Sequence, residues 1–236
     1  FKALGLKVKT AEGKLVPVDD PRLDPIFEKA GEAGLIVAMH TADPVAFFEP
    51  ITPDNERYDE LSIAPRWSFY GDEFPSHEEL LAQRDRRLAR HPKTRFLLIH
   101  LANHPEDLDY VDQLLDSYPN VWVDTSARVP EFGRHPPEKV RAFFLKHQDR
   151  ILFGSDIVVT STSMQLGSVS DEPPTTEDGI RFFDRHFEYF ESAHRQMNHP
   201  TPIQGDWKVD AINLPREVLQ KLYHDNAWNL IYKRTP

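Results

Sequence analysis

The chain has 236 residues, of which 39% are hydrophobic and 28% charged, a composition typical of a globular protein with one large domain or two small ones. Its 28 basic and 38 acidic residues give a formal net charge of −10, which argues against nucleic acid and anionic membrane surfaces as partners. There is no cysteine, so disulfides and thiolate chemistry are excluded, and a metal site must use His, carboxylate or modified Lys side chains.

Short apolar runs alternate with helical patterns along the chain. The opening ALGLKV (3–8) is expected to be the end of a strand, and a helix is predicted between Pro21 and Gly34. Four more runs predict buried parallel strands: LIVAM (35–39), RFLLI (95–99), NVWV (120–123) and RILFG (150–154). Further helices are predicted at HEELLAQRDRRLAR (77–90, with a capping box from Ser76 and Glu79), EDLDYVDQLLDSY (106–118), PPEKVRAFFLKH (136–147) and PREVLQKLYHDNAWNLI (215–231). Repeated strand–helix units predict an α/β fold with a parallel sheet.

Two long segments interrupt this alternation, residues 41–75 and 157–212. The second contains an amphipathic helical pattern, IRFFDRHFEYFESAHRQ (180–196). Long excursions after strands often carry binding surface, so both segments are expected to lie over the strand ends. The aromatic residues of the first segment either wall a pocket or pack the segment onto the sheet; they are Phe47, Phe48, Trp67 and Tyr70.

Each predicted strand from 35 onwards is followed by a polar residue: His40, His100, Asp124 and Asp156. In a (β/α)8 barrel the carboxyl ends of parallel strands converge on one mouth, where functional sites are built. Two imidazoles and a carboxylate there would suit a metal ion, and Asp156 is expected to be buried and neutralised by that cation. The alternative interpretations are a hydrogen-bonded structural role for a single His and a turn or helix cap for Asp124.

The ordered series VAMHTADP, LLIHLANHPEDL, VWVDTSA, ILFGSDI and HDNAWNLI resembles the strand motifs of the amidohydrolase superfamily. The closest branch is the amidohydrolase-related group that includes aminocarboxymuconate semialdehyde decarboxylase and related decarboxylases and lactonases. The resemblance runs from about residue 1 to 232. It implies a metal-dependent TIM (β/α)8 barrel in which these strands are the fifth to the eighth.

The resemblance also implies roles for individual residues. His40 corresponds to a metal ligand, and Asp156 to a metal ligand that is also catalytic. His100 corresponds to a catalytic residue that helps to deprotonate the metal-activated water. The implied cofactor is a divalent metal, with zinc favoured and manganese as the alternative; no other cofactor is expected.

Three residues at the predicted mouth are candidates for substrate binding: Asp124, Arg128 and His104. A guanidinium such as Arg128 or Arg134 can hold a carboxylate with two hydrogen bonds, although solvated loop arginines are the ordinary case. His104 precedes Pro105 and also suits a helix N-terminus. Lys2 or Lys7 is a weaker candidate for the carbamylated lysine that some binuclear relatives carry.

The chain departs from the family pattern because it has no His-x-His pair, which supplies two ligands from the first strand of relatives. Only about strands four to eight are expected, the fourth as a stub. Five strands cannot close an eight-stranded barrel. Residues 1–236 are therefore predicted to be a single barrel domain that is incomplete at its N-terminus.

Three functions remain open at this point. The leading one is metal-dependent hydrolysis of an amide, ester or lactone, and the second is non-oxidative decarboxylation of a carboxylated small molecule on the same scaffold. The third is a non-catalytic binding module. A small-molecule substrate and a possible homodimer are expected, without nucleic acid or membrane partners. The compartment is not readable; the cytoplasm is favoured, with secretion or the periplasm as alternatives.

Overall fold

A four-stranded parallel sheet lies at the centre of the structure, a computed structural model that describes residues 3–232. The strands follow one another in chain order and are β1 (Ile36–Met39), β2 (Arg95–Leu98), β3 (Val121–Asp124) and β4 (Ile151–Leu152). The predicted α/β class and the four predicted strands are therefore confirmed. Burial alternates along β1 and β2: Val37, Met39, Phe96 and Leu98 are buried, whereas the residues between them are partly or fully exposed. The prediction that these two strands are buried is therefore met on one face of the sheet.

Helices follow the strands, and most lie where the sequence predicts them. They are α1 (Asp24–Glu32), α2 (Tyr58–Ile63), α3 (His77–Arg90), α4 (Leu108–Ser117), α5 (Val129–Phe132), α6 (Pro137–Lys146), α7 (Thr176–Glu191), α8 (Arg216–Gln220) and α9 (Asn226–Tyr232). A π-helical turn, Lys221–Asp225, joins the last two. The predicted capping box of α3 is half formed, because Ser76 Oγ accepts the Glu79 amide while the Glu79 carboxylate binds Arg86 and Gln83 instead.

The prediction of a strand end in the opening ALGLKV is wrong, because these residues form a turn. The amides of Leu6, Lys7 and Val8 all donate to the carbonyl of Ala3, at 2.9–3.3 Å. Gly5 has φ +79°, and a Cβ atom there would lie 2.5 Å from Leu80. The local hydrogen bonds and this close approach favour a turn over an extended strand.

Strand β4 is shorter than the predicted 150–154. After Leu152 the backbone leaves the sheet, since the amide of Phe153 donates to the carbonyl of Leu222 in the π-helical turn at 2.9 Å. A tertiary hydrogen bond therefore ends the strand where the apolar pattern continues.

Both long segments contain regular structure. The first holds α2 and a 3-10 turn at Val45–Phe48. The second holds the hairpin β5 (Ile157–Val159) and β6 (Met164–Leu166), helix α7, and the pair β7 (Met197–Asn198) and β8 (Lys208–Val209). Helix α7 begins earlier than predicted, because Thr175 and Asp178 form a complete capping box.

The apolar core joins the sheet to the helices through aromatic rings. Phe96, Val121 and Val123 are fully buried in the central strands. Phe132, from α5, contacts the rings of Phe144, Tyr189 and Phe190 in α6 and α7. No helix within residues 3–232 is both long and apolar enough to span a bilayer.

A buried histidine in α7 is expected to make stability depend on pH. The Nδ1 atom of His186 donates to the carbonyl of Phe182 at 2.8 Å, and burial lowers its pKa from 6.5 to about 4. Unfolding therefore takes up a proton between these pH values, so stability falls as the pH drops from about 6.5 to 4. The loss from this residue is roughly 3 kcal/mol at pH 4.

Urea unfolding at several pH values measures this dependence. His186→Leu should remove a large part of the acid-side loss, and the exposed His224→Leu should leave it unchanged. The loss that remains in this variant comes from other histidines whose pKa burial also lowers: His199, to about 4, and His77 and His147. An unaltered acid-side slope in His186→Leu would contradict the prediction.

Candidate functional site

The polar residues that follow the strands lie at one edge of the sheet. The register pairs Met39 with Leu98 and Asp124 with Leu152, so the carboxyl ends of the strands are aligned. A cavity of about 230 Å³ opens at this edge. Three of the four strand-end residues singled out from the sequence line it, and so does the predicted mouth residue Arg128; the three are His40, His100 and Asp156.

The two imidazoles are in direct contact. The ring centroids of His40 and His100 are 4.8 Å apart, and the rings are perpendicular. His40 Nε2 lies 3.4 Å from Asp43 Oδ1. His100 Nδ1 lies 2.7 Å from the carbonyl of Ser126, which can only accept, so Nδ1 carries the hydrogen. In the neutral ring Nε2 then carries the lone pair, the form needed for a base or a metal ligand.

Asp124 supports the His100 backbone from the end of β3. Its Oδ1 atom accepts hydrogen bonds from the amides of His100 and Ser126, at 2.9 and 3.1 Å, and from the Ser126 hydroxyl at 2.5 Å. Burial raises the pKa of the Asp124 carboxyl, and these hydrogen bonds oppose the rise. Asp124 is not part of the cavity wall formed by residues 3–232. Its substrate-binding role stays a prediction, while the observed bonds match the alternative role of a turn cap.

Four consecutive residues after β2 adopt left-handed backbone conformations. His100, Leu101, Ala102 and Asn103 have φ values of 60°, 51°, 58° and 53°. Such conformations cost about 1–2 kcal/mol for each residue other than glycine. We call residues 100–103 the left-handed turn.

Buried groups of α3 bind the carbonyls of the left-handed turn. The Ala102 carbonyl accepts from Arg84, which is almost completely buried, and the Asn103 carbonyl accepts from His77 Nε2 at 3.1 Å. These contacts offset the conformational cost. The strained residues include His100 itself, whose side chain lines the cavity.

Asp156 is exposed, so the expectation that it is buried is wrong. The chain has already left the sheet after Leu152, and Asp156 lies between β4 and the β5–β6 hairpin with φ 58°. Its carbonyl accepts the amide of Gly167 at 3.3 Å. Asp156 therefore lines the cavity from an exposed loop. Its carboxylate stays hydrated, so no cation is needed to offset the free-energy cost of burying a charge.

The other predicted mouth residues are divided between the cavity and its surroundings. Arg128 is 5% exposed; its Nη1 donates to the carbonyl of Ala127 at 2.9 Å, and its Nε has no hydrogen-bond partner among the described residues. His104 packs between the rings of His77 and Tyr110, and it does not contribute to the cavity wall formed by residues 3–232. Arg134 pairs with Glu56 at 2.7 Å in a separate cavity.

The remaining candidates are similarly divided. Lys7 lines the cavity and lies over the ring of Phe69, whereas Lys2 is outside the described residues. Phe47 and Trp67 stack on each other and line the cavity. Phe48 packs against Phe69 and His77, and Tyr70 is exposed.

Sequence reasoning missed two carboxylates that line the cavity. Asp43 follows His40 by one helical turn's spacing in HTAD, and this spacing was a usable signal. Glu60 is buried beside Arg57, at 2.7 Å, and accepts from the Ser168 hydroxyl. An Arg–Glu pair at this spacing is common on exposed helices, and the burial of Glu60 depends on distant residues such as Ser168.

The cavity offers the types of donor that a divalent ion uses. Imidazole nitrogen from His40 and His100 and carboxylate oxygen from Asp43 and Asp156 suit zinc or manganese. Within residues 3–232, however, no group of three or more such side chains is arranged to hold an ion. The residues therefore fit a metal by chemistry, and in the described arrangement they do not form a closed ligand set.

Comparison with known proteins gives a family match over nearly the whole chain. A family model described as amidohydrolase matches residues 1–230. No curated protein matches the chain.

Several solved structures are similar to the chain at low identity. An uncharacterised TIM-barrel protein from Bordetella bronchiseptica is 16% identical, with 98% of this chain and 56% of that protein covered and a TM-score of 0.49. IDCase from Metarhizium anisopliae is 17% identical, with coverages of 98% and 55% and a TM-score of 0.42. A dihydroxybenzoic acid decarboxylase from Polaromonas, solved with bound manganese and 2-nitroresorcinol, is 15% identical, with coverages of 60% and 45% and a TM-score of 0.35. The chain spans about half the length of these structures.

Proposed function

The chain belongs to the amidohydrolase family, and on this basis we propose that it is a metal-dependent hydrolase of an amide, ester or lactone. The observation that carries the proposal is the shared cavity, in which His40, His100 and Asp156 meet at the carboxyl edge of the sheet. The cavity volume of about 230 Å³ favours a small substrate, since pockets for drug-sized ligands start near 300 Å³.

His40 and Asp156 are the residues that would hold the ion. Zinc is favoured and manganese is the alternative, because imidazole and carboxylate donors suit both. When bound, a divalent cation polarises a substrate carbonyl and makes a water molecule more acidic. Asp43, beside His40 Nε2, is placed to orient that imidazole or to add a carboxylate to the set.

His100 is the proposed general base. Its Nδ1–H is held by the Ser126 carbonyl, so the neutral ring keeps its proton-accepting atom at Nε2. Asp124 fixes the backbone amide of His100 and the Ser126 that orients the ring. A base held in one tautomer and orientation can take a proton from the attacking water without first reorganising.

Decarboxylation is a second candidate, favoured specifically by Arg128. Its almost completely buried guanidinium lines the cavity. Among residues 3–232 it donates one hydrogen bond, from Nη1 to the Ala127 carbonyl, and its Nε has no partner. A buried cation there suits the carboxylate of a substrate. Hydrolysis remains the leading proposal, because an ester or lactone that carries a carboxylate would bind the Arg128 guanidinium in the same way.

Metal analysis of the purified protein with His40→Ala and Asp156→Asn variants tests the proposal. The wild type should contain a divalent ion, and each variant should lose most of it and turn over substrate at least about 100-fold more slowly. His224→Ala is the control, because His224 is exposed and is not among the described residues that line the cavity. Helical content should be unchanged in all three variants.

The products then separate the alternatives. Carbon dioxide release from an aromatic or enoic acid would favour the decarboxylase, and uptake of water at an ester, amide or lactone would favour the hydrolase. A wild-type protein without a divalent ion would favour the non-catalytic module. Unchanged metal content in both variants would contradict the assignment of ligands.

A further inference from the structure

The side chain of Asn103 joins the segment that follows His40 to the left-handed turn that begins with His100. Its Oδ1 accepts the amide of Thr41 at 3.2 Å, and its Nδ2 donates to the carbonyl of Ala42 at 3.2 Å. The residue is 2% exposed, so both hydrogen bonds are shielded from water. One primary amide therefore holds both ends of the two-residue segment Thr41–Ala42 that follows His40.

The backbone of Asn103 forms hydrogen bonds with His100, in the left-handed turn, and with His77 in α3. Its amide donates to the carbonyl of His100 at 2.9 Å, and its carbonyl accepts from His77 Nε2 at 3.1 Å. The β1–β2 ladder ends at the pair Met39 and Leu98, so both imidazoles lie beyond the part of β1 and β2 that pairs with each other. Asn103 is a direct link between the two segments beyond that point.

The residue type matches this position. Asparagine tolerates the left-handed conformation, here φ 53°, better than most residues and carries one acceptor and one donor group in a fixed plane. Aspartate would keep the acceptor for Thr41 but set a carboxylate oxygen against the Ala42 carbonyl. Glycine would keep the backbone conformation and lose the clamp entirely.

We propose that Asn103 is a positioning residue that sets the placement of the His40 imidazole relative to that of His100. The perpendicular contact of the rings, 4.8 Å between centroids, depends on the clamp holding residues 41 and 42. The consequence for metal binding rests on the function proposed above; the geometric claim does not.

The test compares Asn103→Gly with Asn213→Gly. Asn213 is a suitable control because it also has positive φ, 45°, but is exposed and lies outside the cavity wall described for residues 3–232. The readout is the set of ring proton chemical shifts of His40 and His100 in metal-free protein at one pH, assigned with His40→Gln and His100→Gln. A perpendicular ring contact produces a ring-current shift that a general loss of stability does not move.

We expect Asn103→Gly to change the ring shifts of both histidines, with Asn103→Asp, which keeps one of the two clamping bonds, causing a smaller change. Asn213→Gly should leave them at the wild-type values. In a zinc titration Asn103→Gly should bind about 10- to 100-fold more weakly. Wild-type ring shifts in both Asn103 variants would overturn the proposal. Altered shifts in a protein that binds no zinc would keep the positioning role and refute the metal-dependent function instead.

Discussion

Replacing His100 with glutamine is expected to lower kcat by about 10²- to 10⁴-fold, the usual contribution of a positioned general base. His100 Nδ1 is held at 2.7 Å from the Ser126 carbonyl, so Nε2 is the atom that exchanges a proton. Glutamine approximates the size of the ring and can donate to the same carbonyl, but it cannot accept a proton near neutral pH. Steady-state kinetics on any substrate of the wild-type protein measures the effect.

Two comparisons make this result specific to the base. His224→Gln changes an exposed histidine at the end of the chain and should keep kcat within twofold of the wild type. Ser126→Asn should lower kcat less than His100→Gln does, because the Ser126 carbonyl that orients the His100 ring belongs to the backbone. A His100→Gln enzyme with wild-type kcat would contradict the role of His100.

Replacing Arg57 with methionine is expected to cost about 3–5 kcal/mol of unfolding free energy, the largest stability effect anticipated in this protein. Arg57 is 0% exposed, donates to Glu60 at 2.7 Å, and forms an ion pair with Glu131. Methionine fills a similar volume but leaves two buried carboxylates without their cation. Urea unfolding followed by circular dichroism at pH 7 measures the loss.

A matched surface pair provides the control. Arg134 binds Glu56 at 2.7 Å with both side chains partly exposed, so Arg134→Met should cost no more than about 1 kcal/mol. Adding Glu60→Gln and Glu131→Gln to Arg57→Met should recover much of the loss, because the uncompensated charges are removed. A loss below about 1 kcal/mol in Arg57→Met would show that the buried ion cluster is not needed for stability.

The central sheet could be predicted because its strands are short, apolar runs followed by polar residues. The observed β1, β2 and β3 lie within one residue of the predicted runs at 35–39, 95–99 and 120–123. The same pattern indicated which side chains share the strand ends. Three of those four residues, and Arg128 close after the third strand, do line one cavity.

The rest depends on contacts between distant parts of the chain. The left-handed turn at 100–103 has little sequence signal, since Leu101 and Ala102 at its centre are residue types that ordinarily avoid positive φ. The exposure of Asp156 follows from the Phe153–Leu222 hydrogen bond that ends β4 early. Likewise Arg57, Glu60 and Glu131 form a buried ion cluster across two segments that periodicity treats as unrelated.

The measurement that tests the central claim most directly is an anomalous difference map from crystals of the protein grown with manganese. The proposed function predicts a peak in the cavity, with His40 and Asp156 as the nearest side chains and His100 facing it. A map with no peak in the cavity, or with its peak beside residues outside the cavity such as His77 and His104, would contradict the assignment of this edge of the sheet as a metal centre.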